Sequence, residues 1–314
     1  MKVPGWTDVL EAHNRIAGWV HRTPVLTCRA IDRIAGCEVL FKCENFQKAG
    51  AFKFRGATNA VFAMDNDSAL KGVATHSSGN HAAALALAAS NRGIKAHIVM
   101  PETAPPVKKK AVSGYGADIT FCAPTLESRE KTLEEVLART GATIVHPYNN
   151  FDVICGQATA VKELIEEAGR PDVVIVPVGG GGLLSGTAIA AKNMSGRCRV
   201  IAAEPENADD AFRSFKTGVL QPALPPDTVA DGLLTSLGQL TFNIMMEYVD
   251  DVIRVSEKEI INAMRLVWER MKIVIEPSSA VPLAVLTGNR ELFAGKRVGI
   301  ILTGGNADLD NLPF

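Results

Sequence analysis

The sequence predicts an α/β protein built from two open, mostly parallel, twisted sheets flanked by helices. Three observations carry that expectation. Nine short runs rich in Val, Ile and Phe fall at 38–42, 72–76, 96–100, 118–122, 143–146, 173–178, 199–203, 251–255 and 297–302. Continuous apolar runs of this length are what strands buried on both faces of a parallel sheet look like. Helical patterns alternate with them at 6–19, 52–64, 81–91, 107–113, 126–139, 154–168, 183–192 and 257–271, which is the rhythm of parallel crossovers. The third observation is length: 314 residues suit two domains better than one, at about 150 residues each.

No repeat of 20 to 50 residues is visible, and the loops differ in content, so two open sheets fit better than one closed barrel. The stretch 71–148 has its own strands and ends at the turn-rich Pro147-Tyr148-Asn149-Asn150. It is expected to form a smaller domain inserted in a larger one made of 1–70 and 149–314.

Composition narrows the function. Hydrophobic residues make up 47% and charged residues 21%, enough apolar surface to fold without a metal or disulfide staple. Thirty-three basic residues nearly cancel thirty-four acidic ones, leaving no field with which to grip nucleic acid. The longest apolar helical stretch, 82–89, falls short of the about 20 residues a bilayer span needs, and 1–19 carries charges where a signal peptide has an apolar segment. A soluble, cytoplasmic protein is expected. The six cysteines are scattered and form no Cys-x-x-Cys pair, so they read as buried thiols. Cys155 is expected to be one of these and not a nucleophile.

In chain order, the first segment with chemical content is Phe52-Lys53-Phe54-Arg55-Gly56, after the strand at 38–42. A lysine between two phenylalanines at a helix start is placed to lose water and to have its pKa lowered, as Schiff-base lysines require. The plainer reading is a lysine whose stem lies along the helix with its head in water. Next, Ser77-Ser78-Gly79-Asn80-His81 joins the strand at 72–76 to an Ala-rich helix. Small donors at a helix start can seat a carboxylate, or can be an ordinary N-cap.

The apolar run at 173–178 enters Gly179-Gly180-Gly181-Gly182-Leu183 and then a helix. Backbone N–H groups and the positive helix end converge there with no side chain in the way, which makes an anion cradle suited to phosphate. A Walker A loop is excluded because no Lys-Ser/Thr follows. A dinucleotide fingerprint through Gly180, Gly182 and Ser185 with Glu204, or a purely structural turn, stays open at this point. Beyond it, Glu204-Pro205-Glu206-Asn207-Ala208-Asp209-Asp210 offers hard oxygen ligands, or else caps the next helix. The last strand ends in Thr303-Gly304-Gly305-Asn306, at the strand end where α/β ligands bind.

Together, Phe52-Lys53-Phe54-Arg55-Gly56, Ser77-Ser78-Gly79-Asn80-His81, Gly179 to Gly182, Glu276-Pro277-Ser278-Ser279 and Thr303-Gly304-Gly305-Asn306 resemble the serine/threonine dehydratase and serine racemase family, pyridoxal phosphate (PLP) enzymes of fold type II. The resemblance runs from about residue 6 to 310. It implies that Lys53 binds PLP as a Schiff base, that Phe52 packs on the ring, and that Asn80 bonds the ring hydroxyl. It further implies that Gly179, Gly180, Gly181, Gly182 and Leu183 hold the phosphate and that Thr303 faces the ring nitrogen. Ser77, Ser78, Asn80 and His81 would bind the substrate carboxylate. Lys53 would take the α-proton from one face, and Ser78 would act on the other during racemisation.

The implied activity is elimination from L-serine or L-threonine to a keto acid and ammonia, with serine racemisation. A 3-hydroxyaspartate ammonia-lyase is the alternative, and Arg129 matches a position able to pair with a second carboxylate. A β-replacement enzyme is disfavoured by the form of the serine loop; a non-catalytic PLP or amino-acid sensor is the rival outside catalysis. By the same resemblance, Glu204, Ala208 and Asp210 would bind Mg²⁺, Ca²⁺ or Mn²⁺, and the protein would be a homodimer. Ala82 and Ala83 depart from the family pattern. A nucleotide effector is therefore in doubt, although Lys48, Tyr115 and Lys272 match its site. The end at Phe314 leaves no room for a C-terminal regulatory domain, so isoleucine feedback is not expected.

Overall fold

The computed structural model describes residues 2–104 and 106–314. Among the described residues ten strands are present: β1 (Val25–Leu26), β2 (Glu38–Cys43), β3 (Val73–His76), β4 (Ala96–Pro101), β5 (Asp118–Cys122), β6 (Thr143–Ile144), β7 (Val173–Pro177), β8 (Arg199–Pro205), β9 (Asp251–Val255) and β10 (Arg297–Leu302). They form a six-stranded sheet in the order β1-β2-β10-β7-β8-β9 and a four-stranded sheet in the order β5-β4-β3-β6. Every pairing is parallel except that of β1 with β2.

All nine expected strands are found. The tenth, β1, is too short to carry a sequence pattern. The runs are continuously apolar because both faces of the larger sheet are covered. Along β7, Val174 and Val176 join one core while Val173 and Ile175 join the other. Along β8, Val200 and Ala202 divide from Ile201 and Ala203 in the same way. Each buried Val or Ile among them contributes about 1.5–3 kcal/mol by leaving water. The smaller sheet repeats the pattern, with Val73 and Ile98 on one side and Ala74 and Val99 on the other.

The helix Phe151–Ala168 is central to the site. It crosses the helix Lys53–Ala63 in backbone contact, where a Cβ on Gly156 would meet the Arg55 carbonyl at 2.6 Å. It also crosses the helix Gly182–Met194, where a Cβ on Gly186 would meet the Ile154 carbonyl at 2.6 Å. One rigid helix therefore sets the spacing between the lysine helix and the glycine cradle. Cys155 lies in this interface, 1% exposed, and burial pushes its thiol up to about 12. It is not a nucleophile. All six cysteines are free, and among the described residues no helix is long and apolar enough to cross a membrane.

Candidate active site

Lys53 is anchored from three directions. The preceding segment pairs with the end of β10: Phe52 N–H donates to the Thr303 carbonyl at 2.9 Å, and Gly305 N–H donates to that of Gly50 at 2.9 Å. The Lys53 amine donates to the Pro147 carbonyl at 3.0 Å and lies 5.1 Å from the centre of the Phe52 ring. Burial brings this amine down to about 8, against the opposing pull of Glu276. Of the two settings the sequence left open, the partly buried amine and its bond to Pro147 favour the desolvated one.

Behind it, Arg55 fastens the helix to the scaffold. Its guanidinium donates to Glu44 at 2.7 and 2.8 Å, to Glu163 at 2.8 Å from each of two nitrogens, and to Thr159 at 3.1 Å. Lys42 donates to Glu163 at 2.7 Å and to the Thr23 carbonyl at 2.6 Å. Two buried cations therefore balance two buried carboxylates, all with hydrogen-bond partners. Removing one member of such a set costs about 3–5 kcal/mol, because it strands the opposite charge.

The glycine cradle is closed from behind. Gly181 is left-handed, with φ of 83°, and starts the helix Gly182–Met194 without a side-chain cap. A Cβ on Gly180 would run into the Tyr148 ring, and one on Gly182 would meet Tyr148 Cβ at 2.9 Å. Thr241 Oγ1 donates to the Gly180 carbonyl at 2.9 Å. The buried hydroxyl of Ser185, in the first turn, has no partner. An uncapped helix start and an orphaned donor fit a phosphate, and the withdrawn lysine fits a carbonyl reagent. PLP presents both groups.

On the third side, Ser77, Ser78 and Gly79 link β3 to the helix Asn80–Arg92, which also lacks a side-chain cap. Asn80 Nδ2 donates to both oxygens of buried Glu276 at 3.0 Å, and Asn306 Nδ2 donates to Asn80 Oδ1 at 2.8 Å. Burial brings the Glu276 carboxyl up to about 7. His81 is 2% exposed and turned beneath the loop, its Nε2 at 3.0 Å from the Val145 carbonyl. A carbonyl only accepts, so Nε2 carries the proton, and burial lowers this histidine to about 3. Thr303 Oγ1 meets Ser279 Oγ at 2.9 Å. The salt bridge Lys108–Asp231, 3.0 Å, joins the helix Pro106–Gly114 to a turn whose Leu233 abuts Gly179.

Arg129 stands in the first turn of the helix Leu126–Thr140, and its buried Nε has no partner. Glu204 and Asp210 are both buried. Glu204 accepts from the Ala211 and Phe212 N–H groups at 2.8 and 2.7 Å, and Asp210 accepts from Leu237 N–H at 3.0 Å. Asp209 is instead taken by Arg213 and Arg254, each at 2.8 Å. Among the described residues no cluster of three or more His, Cys, Asp or Glu side chains suits a metal; the expected set has two carboxylates and the Ala208 carbonyl. Sequence reading assigned no role to His146, Pro147, Tyr148, Ser279 or Asn306. The motifs around Ser279 and Asn306 drew attention to their segments, and His146, Pro147 and Tyr148 were noticed only as a strand end and the turn that closes the smaller domain.

Residues 16–304 match the family model described as "Pyridoxal-phosphate dependent enzyme". The chain is 52% identical to a beta-hydroxyaspartate dehydratase of Paracoccus denitrificans over the whole of both proteins. It is 50% identical to the crystal structure of serine racemase from Dictyostelium discoideum, with a TM-score of 0.94 over 97% of this chain and 99% of that one. The crystal structure of a threonine deaminase from T.th. is 42% identical, with a TM-score of 0.93 over 98% of this chain and 99% of that one.

Proposed function

Because the chain belongs to the family of pyridoxal-phosphate-dependent enzymes, we propose that it converts a hydroxy amino acid, L-serine or L-threonine, to a keto acid and ammonia, and that it also interconverts the isomers of serine. One observation carries this reading. The withdrawn amine of Lys53 bonds Pro147, and the next residue, Tyr148, backs the glycine cradle. Lysine and cradle thus meet the two ends of one cofactor.

Bound PLP supplies an electron sink for the α-carbon. The chain supplies the rest. Lys53 would hold the cofactor, and as a free amine it would take the α-proton. Gly179, Gly180, Gly181, Gly182 and Leu183 hold the phosphate through backbone N–H groups, and Phe52 supports the ring. Asn80, itself fixed by Glu276 and Asn306, bonds the ring hydroxyl. Thr303 offers a hydroxyl to the ring nitrogen; unlike a carboxylate it cannot keep that nitrogen protonated, which suits elimination over transamination. Ser77, Ser78 and the start of the helix Asn80–Arg92 receive the substrate carboxylate, with His81 beneath them. Ser78 serves as acid and base on the face opposite Lys53. Residues 71–148 act as the smaller domain carrying this loop, inserted between 1–70 and 149–314.

A second substrate, 3-hydroxyaspartate, is favoured by one observation: the buried Nε of Arg129 lacks a protein partner, as a residue awaiting a carboxylate would. Comparing kcat/KM on serine, threonine and 3-hydroxyaspartate tests this. Arg129→Ala is expected to lower the value for 3-hydroxyaspartate by about 10- to 100-fold, and that for serine by less than about threefold. Equal losses on both would remove the second carboxylate from the account.

We also place a divalent cation, Mg²⁺, Ca²⁺ or Mn²⁺, at Glu204, the Ala208 carbonyl and Asp210. Neither buried carboxylate forms an ion pair among the described residues, and hard oxygens suit these ions. Asp210 accepts from Leu237 N–H, and the Leu237 side chain packs behind Gly181. Chelation followed by dialysis is therefore expected to lower both the melting temperature and PLP occupancy, and added cation to restore them. Unchanged melting and activity would remove the site. A homodimer and a cytoplasmic location belong to the same proposal. The dimer finds support in Phe46 and Val274, 43% and 44% exposed, which flank the bond from Asn45 to the Val274 carbonyl.

A further inference from the structure

The segment from His146 to Asn149 touches both the lysine and the cradle. His146 Nδ1 accepts from the N–H groups of Asn149, at 3.0 Å, and Tyr148, at 3.4 Å. Accepting at Nδ1 places the ring proton on Nε2. The His146 ring stands edge-on to Tyr148, with centroids 4.6 Å apart. Between the two aromatic residues, the Pro147 carbonyl accepts from Lys53. On the far side, Tyr148 lies where Cβ atoms of Gly180 and Gly182 would be. Asn149 Oδ1 then accepts from Leu240 N–H at 3.0 Å and ties the turn to the helix Gln239–Tyr248.

We propose that His146 is a positioning residue. By accepting two backbone N–H groups at Nδ1, it folds the turn that presents the Pro147 carbonyl to Lys53 and presses Tyr148 against the phosphate cradle. One side chain thereby registers the two ends of the cofactor site. The inference rests on the reading of Lys53 and Gly179 to Gly182 as the PLP site. The acceptor role needs a neutral ring. Burial, with His76 and Lys53 nearby, supplies that condition by lowering His146 to about 4. When Lys53 stands free as an amine, the Pro147 carbonyl keeps it from swinging away, and it stabilises the ammonium formed after proton transfer.

Two substitutions separate the nitrogens of the ring. Asn puts an acceptor near the place of Nδ1, whereas Gln reaches toward the place of Nε2. PLP is titrated into apoenzyme by absorbance, kcat and KM are measured on L-serine, and melting curves confirm that each variant is folded. His146→Ala is expected to weaken PLP binding and to lower kcat, each about tenfold or more, with KM within about threefold of the native value. His146→Asn is expected to recover most of both losses and His146→Gln neither. If His146→Ala does not fold, the comparison of Asn with Gln decides alone. Recovery by Gln and not Asn, native values in every variant, or a rise in KM alone would overturn the role. A native enzyme that forms no Schiff base with PLP would instead remove the reading beneath it.

Discussion

Replacing Lys53 by Ala is expected to slow keto-acid release from L-serine by about a thousandfold or more, because in the proposed mechanism one side chain supplies both the covalent anchor and the base. The setting of the residue explains the size of the effect. With its amine brought down to about 8, far more of Lys53 than of an ordinary lysine is uncharged at pH 7. Burial disfavours the cation and Glu276 only partly opposes it. Lys53→Arg is the matching control, since it keeps the charge and cannot form a Schiff base. It should be as inactive as the alanine variant. The measurement is keto-acid release by PLP-loaded enzyme at saturating serine, and substantial activity in either variant would take the central role away from Lys53.

Replacing Ser78 by Ala is expected to stop racemisation, by about a hundredfold or more, while elimination from L-serine continues at a reduced rate. Ser78 lies half-buried in the loop ahead of the helix Asn80–Arg92. Among the described residues no hydrogen bond to its hydroxyl is formed. A group that is free of the scaffold can exchange a proton with substrate, which the proposed mechanism asks of Ser78 on the face opposite Lys53. Loss of D-serine formation with retained ammonia release from L-serine is the expected pair of results. Unchanged racemisation would move the second acid and base elsewhere.

The strands of the larger sheet were legible because burial on both faces leaves only one kind of sequence, an unbroken apolar run such as that of β7. The same logic hid the helix Pro277–Gly288. It is buried nearly all round, so it shows no 3.6-residue period, and Pro282 lies inside it. Short helices such as Arg29–Ala35 and Asn66–Leu70 offer too few turns for a period to develop. The amphipathic helix Glu257–Met271, capped by Ser256 and Glu259, was found with its observed limits.

The site divides along the same line. Gly179 to Gly182 announce themselves because a close approach of backbone demands a residue without Cβ. Lys53 was legible as a motif, but the groups its amine faces, the Pro147 carbonyl that accepts from it and the Glu276 carboxyl that opposes the effect of burial, lie far away in the chain. Asn80 and Glu276 are 196 residues apart and meet only in the fold. Nothing local marks Glu276 as the partner of that amide. His146 and Tyr148 are likewise invisible to periodicity, since their roles depend on which loop the turn is laid against.

The most direct measurement on the central claim is to reduce the PLP-loaded enzyme with borohydride, digest it, and locate the pyridoxyl group by mass spectrometry. The account predicts a single modified residue, Lys53, and loss of the label when L-serine is present in excess before reduction. A pyridoxyl group on another lysine, or a label at Lys53 that serine cannot displace, would contradict it.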